Sequence, residues 1–509
     1  MNRDFARYHS PKSLPNEKPN SFASWLEHHR PLFWRCVPFV AIVCFLAWCF
    51  VSFRSNFTWD DAEPEILNQA WRLANGGSIY RGVESPPYAF AAYTPLYFAV
   101  TALLLKFTGL SYIPAKLISF LAALSIGWAM VRLSREWNKS GRDGLWAASF
   151  LFLIPAFLYN SARCHVQMMA VAFSIWSLYF FLRNRWKATL IISPLFAVLA
   201  FYTKQTQVAL PLAMALYLAI RNRRWFLPYA SIGLVLGLIP FLWLQKISGG
   251  LFFFDTVSLA RLEYDWWTIP QIFMHHAGPI LIFIGIAGSL LWQRFKDGTW
   301  DAIDCYLGCL FFITLISLGR LGAHGQYVVE LLVITLLYLL KTAGLPAIPR
   351  RDALVSAQIL LLFLYAPAFI FLEEGLWDIS ANRASSKIYS LIRERSGPVL
   401  SQQNSFSLFS RGEIYVQLFH FSGLSRAGMW DQRPLLNEID KRGFCCVITE
   451  FPIETSPLSD SDNERFTPEI ISAVRRNYKL LESVYPYYFY VPSSTLANLT
   501  KRTGFHRFH

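Results

Sequence analysis

The sequence predicts a mainly α, polytopic membrane protein of about eleven transmembrane helices, followed by a small C-terminal α/β domain on the outer side. Three observations carry this. The 509-residue chain is 54% hydrophobic and only 16% charged, whereas a soluble protein carries about 25% charged residues. Apolar stretches recur along most of its length, separated by loops that alternate between strongly basic and not. After Leu372 the polarity becomes ordinary, and short helix- and strand-like periods replace the apolar runs.

Taken in order, residues 1–30 are rich in Pro, Asn, Ser and Lys and are expected to be a disordered cytoplasmic terminus. No cleavable signal peptide is expected, since no small-residue cleavage site follows the first apolar segment. Residues 31–372 form the membrane domain. Its predicted spans are Val37–Phe53, Ile113–Leu133, Leu145–Tyr159, Met168–Leu182, Ala188–Tyr202, Val208–Ile220, Phe226–Leu244, Pro279–Trp292, Ile303–Leu318, Val328–Leu340 and Leu354–Leu372. One more apolar stretch, Leu96–Phe107, is short and follows Pro86, Pro87 and Pro95.

Charge decides the status of that stretch. The basic loops are Arg135/Lys139/Arg142, Arg183–Lys187, Arg221–Arg224, Arg294/Lys296 and Lys341/Arg350/Arg351, with Arg30 and Arg35 ahead of the first span. All fall on the cytoplasmic side under the positive-inside rule only if Leu96–Phe107 does not cross, so it is predicted to be an interfacial or re-entrant helix. The N-terminus is then cytoplasmic and the C-terminus extracytoplasmic, in a cell or plasma membrane. Two long loops face outward, 54–112 and 246–278, together with the domain 373–509.

The net charge of +14 would suggest nucleic acid in a soluble chain; here basic loops facing anionic headgroups account for it. Cys36, Cys44, Cys49, Cys305 and Cys309 lie in predicted spans, and Cys445 and Cys446 are adjacent in a predicted strand, with side chains expected on opposite faces. The eight cysteines read as packing residues. In the outer domain, "SKIYSLIRERSG" predicts a helix leading into strand "PVLSQ", and "RPLLNEIDKRG" a helix leading into strand "FCCVITEF". "TPEIISAVRRNY" predicts a helix capped by Thr467, followed by the aromatic strand "YPYYFYVP".

The first outer loop opens with "WDDAEPEILNQAWRL", continues through a glycine turn to "IYR", and reaches a helix beginning "YTPLYF". With "FYTKQT" after the fifth span, "RLGAHGQYVVEL" opening the tenth, and "GPVLSQQNSF" and "GMWDQRPLLNEIDKRGFCCVITE" in the tail, the chain resembles the GT-C superfamily of membrane glycosyltransferases. It is most similar to the bacterial branch related to protein O-mannosyltransferases and aminoarabinose transferases. The resemblance spans nearly the whole chain and rests on the order of the motifs and their shared placement on the outer face.

Such enzymes move a hexosyl or pentosyl group from a polyprenyl-phosphate carrier to an acceptor hydroxyl outside the membrane, which is a glycan, lipid or protein. A carboxylate removes the acceptor's proton as it attacks, giving inversion. Cations hold the charge of the departing lipid phosphate. No cofactor or metal is expected beyond the lipid-linked sugar. The resemblance implies Asp60 as the base, with Asp61 where relatives often carry Glu; the bland alternative is that both only favour the positive end of the helix that follows.

Lys204, Arg163 and Arg320 stand at outer ends of apolar spans, where charge is costly, and are the candidates for the phosphate. Glu330, His165 and Tyr93 are candidates for binding or supporting the acceptor. A structural pair of Glu330 with Arg320 is the alternative for that acid. Many relatives carry an Asp near His165 that this chain lacks, so neither a second carboxylate nor a metal is expected there; the aminoarabinose transferases carry a Lys where Thr94 stands, so one carrier-binding charge is absent or supplied elsewhere. Trp266 and Trp267 read as interfacial anchors. Asp255 and Asp265 lack ligand-spaced companions. A multi-pass transporter or a membrane scaffold displaying the outer domain are the rival readings, but no inverted repeat or paired broken helices support the first.

Overall fold

The computed structural model describes residues 21–55, 62–183, 185, 188–259, 263–343, 353–368, 375–454 and 464–494. Each predicted span is mainly helical over its described residues. The first lies in helix α1 (Ser21–Arg54). Two helices occupy the long loop that follows, α2 (Ala62–Ala74) and α3 (Leu96–Thr108). Then come α4 (Ile113–Glu136), α5 (Gly141–Leu151), α6 (Pro155–Asn160) and α7 (Gln167–Leu182). A π-helical turn, Ala188–Ile192, leads into α8 (Ser193–Thr203), and α9 (Ala209–Arg221) and α10 (Arg223–Ile247) follow. The remaining membrane helices are α11 (Thr268–Ala277), α12 (Leu281–Lys296), α13 (Ala302–Leu318), α14 (Val329–Thr342) and α15 (Ala353–Ala368). Residues 369–372 of the predicted last span, and 1–20 of the predicted disordered terminus, lie outside the described residues.

Among the described residues four stretches are long and apolar enough to cross a bilayer by themselves: Ile113–Glu136, Arg223–Ile247, Thr268–Lys296 and Gly325–Thr342. They divide into centre and rim. In Gly325–Thr342, 83% of the apolar window is buried inside the protein, and in Arg223–Ile247 only 11% is. The second belongs to a helix with a lipid-facing surface, carrying Leu234, Ile239, Leu242 and Trp243 outward.

Two predicted spans need correction. Leu145–Tyr159 is not one helix. The Ser140 hydroxyl caps α5 by accepting from the Asp143 N–H at 3.1 Å, and the helix closes when the Ile154 N–H turns back to Leu151 O at 3.1 Å. Pro155 has no N–H to continue that ladder and instead opens α6. The second outer loop is also shorter than 246–278, because α11 begins at Thr268 and runs through a 3₁₀ turn into α12.

The basic loops gather on one face. Arg183 pairs with Glu136 at 3.7 Å, joining the ends of α4 and α7. Arg221 at the end of α9 donates to Gly298 O at 2.5 Å and stacks on Trp300. Arg294 reaches Asp304 at 2.9 Å and Asp301 at 3.2 Å, where those acids form the capping box of α13. Lys341 at the end of α14 binds Asp301 and lies over the Trp137 ring.

The opposite face collects the other helix ends. Lys116, near the start of α4, donates to Ser52 O and Ser55 O at the end of α1, at 2.6 and 2.7 Å. Thr94, before α3, bonds Phe201 O near the end of α8 at 2.8 Å, and Tyr97 of α3 bonds Ala115 O of α4 at 3.0 Å. Helix α3 therefore starts beside the end of α8 and delivers the chain to the start of α4.

The outer domain begins with α16 (Gly375–Arg393) and contains a four-stranded sheet in the order β1-β2-β4-β3. Strands β1 (Val399–Ser401) and β2 (Cys446–Thr449) run parallel, and β4 (Tyr487–Pro492) is antiparallel to both β2 and β3 (Tyr478–Val484). Between β1 and β2 lie α17 (Ser405–Arg411), α18 (Leu418–Arg426) and α19 (Arg433–Asp440). The predicted helix α20 (Pro468–Asn477) is capped by the Thr467 hydroxyl, which accepts from the Ile470 N–H at 3.3 Å. Strand β3 was not expected: Lys479 and Glu482 interrupt its apolar pattern, as suits an edge strand. Cys445 falls just before β2, so strand alternation does not govern it, and its Sγ lies 3.7 Å from that of Cys446 rather than on the opposite face.

This domain is tied to the first outer loop. The Tyr88 N–H donates to Tyr415 O at 2.7 Å and the Gln417 N–H to Tyr88 O at 3.0 Å, bracketing Val416, the Trp430 indole donates to Val83 O at 3.0 Å, and the Ile414 N–H donates to Asn68 Oδ1 of α2 at 3.2 Å. Asn382 and Ser405 reach the membrane helices directly, through Ser55 and Tyr112.

Candidate functional site

Where the outer ends of the helices meet the outer domain, a cavity of about 400 Å³ opens. Its wall takes Ala62 and Glu65 from the first turn of α2, Tyr93 from the approach to α3, Gln205 and Thr206 from the turn after α8, and Arg320 to Tyr327 from the turn between α13 and α14. Phe419, His420 and Arg465 come from the outer domain. Each piece is fixed by backbone hydrogen bonding. Gln205 donates to Ala92 O at 2.8 Å and Thr256 O at 3.0 Å, sewing both outer loops to the end of α8. Arg320 sits in a strand-like bridge with Tyr264, flanked by Asp265 N to Gly319 O at 2.7 Å and Leu321 N to Glu263 O at 2.8 Å. Gly319 is needed there: a Cβ would stand 2.4 Å from the Tyr264 ring.

The predicted residues occupy different stations around this cavity. Tyr93 and Arg320 line it. Lys204 lies just beneath, fully buried as the C-terminal cap of α8. Its Nζ donates to Gln167 Oε1 at 2.5 Å and sits 4.2 Å from the centre of the Tyr327 ring, which lines the cavity. Lys204, Gln207, Tyr327 and Glu330 enclose a second void of about 20 Å³, room for about one water. Glu330 accepts from the Tyr306 hydroxyl and, with the Gln207 amide nitrogen turned toward it, from Gln207 at 2.5 Å. Among the described residues it forms no ion pair with Arg320.

His165 is buried under Tyr93. Its Nδ1 accepts from the Gln167 N–H at 3.2 Å and its Nε2 lies 3.5 Å from the Tyr93 hydroxyl. Burial holds the ring neutral, and the charge of Lys204 acts in the same direction. Arg163 stands apart from the cavity lining. It is fully buried, pairs with Glu63 at 3.3 Å, and lies against the Trp48 and Tyr159 rings at 5.0 and 4.4 Å. Glu63 also accepts from the Cys164 N–H at 3.1 Å.

Asp60 and Asp61 lie outside the described residues; Ala62, which follows them, is part of the cavity wall. Trp266 and Trp267 are 69% and 81% exposed beside the outer ends of the helices, as membrane anchors would be. Asp265 caps the turn into α11 through the Trp267 N–H at 2.9 Å. Asp255 is buried, accepts from the Arg81 N–H at 3.1 Å, and burial pushes its carboxyl up to about 7. Among the described residues no group of three or more His, Cys, Asp and Glu is arranged to hold a metal ion.

Sequence reasoning missed the contribution of the outer domain. Glu65 Oε2 lies 3.1 Å from His420 Nδ1, close enough for an ion pair but off the line of a good hydrogen bond, and Asn404 donates to Glu65 Oε1 at 3.3 Å. His420 and Arg465 sit in no recognisable motif, so only the fold brings them to the cavity. What the arrangement offers chemically is a pocket between the helix ends and the C-terminal domain with Arg320 on its wall, Lys204 behind one aromatic ring, and the Glu65 carboxylate from the first turn of α2.

Comparison with known proteins agrees with this architecture. A family model described as dolichyl-phosphate-mannose-protein mannosyltransferase matches residues 92–244. No curated protein matches the sequence. Among solved structures, ArnT from Cupriavidus metallidurans bound to undecaprenyl phosphate superposes with a TM-score of 0.60 at 12% identity, covering 90% of this chain and 98% of that one. Its apo state gives 0.60 at 13% identity, covering 94% and 99%. The archaeal oligosaccharyltransferase AglB from Archaeoglobus fulgidus gives 0.46 at 11% identity, covering 89% and 74%. The chain is a multi-pass membrane protein with the GT-C fold, as its motifs implied.

Proposed function

We propose that the protein transfers a sugar from a polyprenyl-phosphate carrier to an acceptor hydroxyl at the outer face of the membrane. The observation that carries this is the cavity itself, which opens between membrane helices and outer domain with Arg320 on its wall and Lys204 beneath it. Cations at that depth are costly unless an anion uses them, and a lipid phosphate reaches this level from the bilayer. The match to a mannosyltransferase family and the likeness to ArnT, whose structure holds undecaprenyl phosphate, support the same reading.

In this reading the acceptor hydroxyl attacks the anomeric carbon as the bond from that carbon to the carrier phosphate breaks, and the configuration inverts. Asp60 takes the acceptor's proton, and Asp61 orients the acceptor or favours the start of α2. Arg320 and Lys204 hold the charge that develops on the leaving phosphate. Tyr93, His165 and Glu330 shape the acceptor side. No step calls on a metal. The basic face, with the N-terminus, lies in the cytoplasm, and residues 373–509 lie outside, in keeping with the shared side of the basic loops.

The test is sugar transfer by purified variants, normalised to folded protein in lipid discs. Asp60→Asn keeps the shape of the side chain but cannot accept the proton, and should slow transfer roughly 100- to 10,000-fold. Asp61→Asn should slow it less. A collapse only in Asp61→Asn would move the base by one residue, and full turnover in both would remove the acidic pair from the chemistry.

A further inference from the structure

The pair Cys445–Cys446 has geometry that packing does not require. Cys446 opens β2 and is fully buried, with Val399 of β1 as its register partner. Cys445 is partly exposed, and its N–H donates to Pro398 O at 2.9 Å. Because it precedes the regular strand, its side chain turns to the same side, and the two Sγ atoms lie 3.7 Å apart, within reach of a sulfur hydrogen bond.

A fixed cation completes the cluster. Arg411 at the end of α17 brings Nη2 to 3.6 Å from Cys445 Sγ. The guanidinium is locked there, since Nε donates to Gly397 O at 2.7 Å and Nη2 to Arg395 O at 2.7 Å. Arg411 also borders a polar cavity of about 380 Å³, with Ser385, Ser386, Tyr389 and Arg393 in its wall. Such a surround stabilises negative charge on Cys445 and leaves the shared proton on the buried Cys446.

We propose that Cys445 and Cys446 form a redox-active vicinal dithiol in the outer domain, which reacts with small anionic disulfides such as oxidised glutathione. The Cys445 thiolate attacks one sulfur of the disulfide. A mixed disulfide forms on Cys445, the old S–S bond breaks, and one small thiolate leaves. Cys446 then gives its proton to solvent and attacks Cys445 Sγ, closing a vicinal disulfide and expelling the second small thiolate. The two cysteines are oxidised by two electrons and the small disulfide is reduced to two thiols. Neither cysteine lines the cavity assigned to sugar transfer, so this inference stands apart from that function. The cause of the asymmetry is physical: the neighbouring Cys446 thiol and Arg411 hold the Cys445 thiol below the ordinary range, and the same partnership pushes Cys446 well above it.

The full-length protein in lipid discs, reduced and freed of reductant, is exposed to oxidised glutathione and its peptides are weighed. The peptide holding both cysteines should lose two hydrogens. Cys446→Ser should stop at one glutathione on Cys445, and Cys445→Ser should leave Cys446 unmodified. In the Cys446→Ser background, alkylation of Cys445 by iodoacetamide at about pH 6.5 should be about tenfold slower after Arg411→Gln, while Arg411→Lys, which keeps the charge, should restore the rate. A native-like elution profile confirms that each variant is folded. An unmodified peptide from the folded wild type, or an alkylation rate indifferent to the charge at 411, would overturn the proposal.

Discussion

Arg163 and Lys204 are both fully buried cations at the outer ends of membrane helices, yet the protein treats them differently. Arg163 meets a carboxylate, Glu63, at 3.3 Å and is held against two aromatic rings. Lys204 donates to an amide oxygen at 2.5 Å and lies 4.2 Å from one ring; it shares a small void with the Glu330 carboxylate, and among the described residues the two form no salt bridge. A buried charge is tolerated when its partner is permanent. One that touches no carboxylate directly, beside a ligand cavity, is suited to a partner that comes and goes. The difference suits Arg163 to a structural ion pair and leaves Lys204 the better placed of the two phosphate candidates.

The comparison breaks most sharply on stability. Arg163→Met leaves Glu63 buried without its cation, and removing one partner of a buried pair costs about 3–5 kcal/mol. Lys204→Met removes a charge that touches no carboxylate directly, with Glu330 only across the small void, so the folded state should lose less than with Arg163→Met. Thermal unfolding in detergent measures the first effect. The second should appear in kinetics, as a higher concentration of lipid-linked donor for half-maximal transfer. If instead Arg163→Met unfolds like the wild type and loses donor affinity, the two roles are exchanged.

Asp255 extends the test to acids. Like Glu63 it is buried in the outer region, but its carboxyl is pushed from 3.8 up to about 7 by burial, with the Arg81 backbone and charge only partly opposing this. The folded state therefore keeps a proton that the unfolded chain gives up between those values. The contribution of Asp255 to stability is greatest below about pH 4, falls as the pH rises toward 7, and is flat above it. Asp255→Asn should abolish that fall, a difference of about 2–4 kcal/mol between pH 4 and pH 8 at 1.36 kcal/mol per unit. Parallel stability curves for wild type and variant would show that Asp255 ionises without cost.

How much of this was legible depended on how local each signal was. The apolar helices and the basic loops follow from composition along the chain, and the Thr467 cap follows from four adjacent residues. The break in the third span was also written locally, at Pro155, but an apolar run masks a proline that begins a helix. Strand β3 was hidden because an edge strand tolerates Lys479 and Glu482. The site divided the same way. Lys204, Arg320 and Tyr93 could be marked as candidates because charge and aromatic groups at a span's end stand out against apolar sequence. Glu63 as the partner of Arg163, and His420 beside Glu65, could not, because each pairing joins segments that only the tertiary fold brings together.

The finest distinction between the two cations lies in their aromatic neighbours. Arg163 has two rings and a carboxylate, so losing one ring leaves it held. Lys204 rests on Tyr327 alone, and Tyr327 stands between it and the cavity. Tyr327→Leu keeps the bulk of the side chain and removes the ring's negative face, a loss of about 1 kcal/mol for a desolvated cation–π contact. If Lys204 serves the carrier phosphate, that loss should appear as roughly a fivefold weaker use of the lipid-linked donor, with the unfolding temperature close to wild type. Tyr159→Leu, the matching change beside Arg163, also alters the cavity wall, but Glu63 should keep its cation in place. Its donor dependence should move less than that of Tyr327→Leu. Equal shifts in the two variants would mean that the rings act by shaping the cavity, and that Lys204 has no special part in binding the donor.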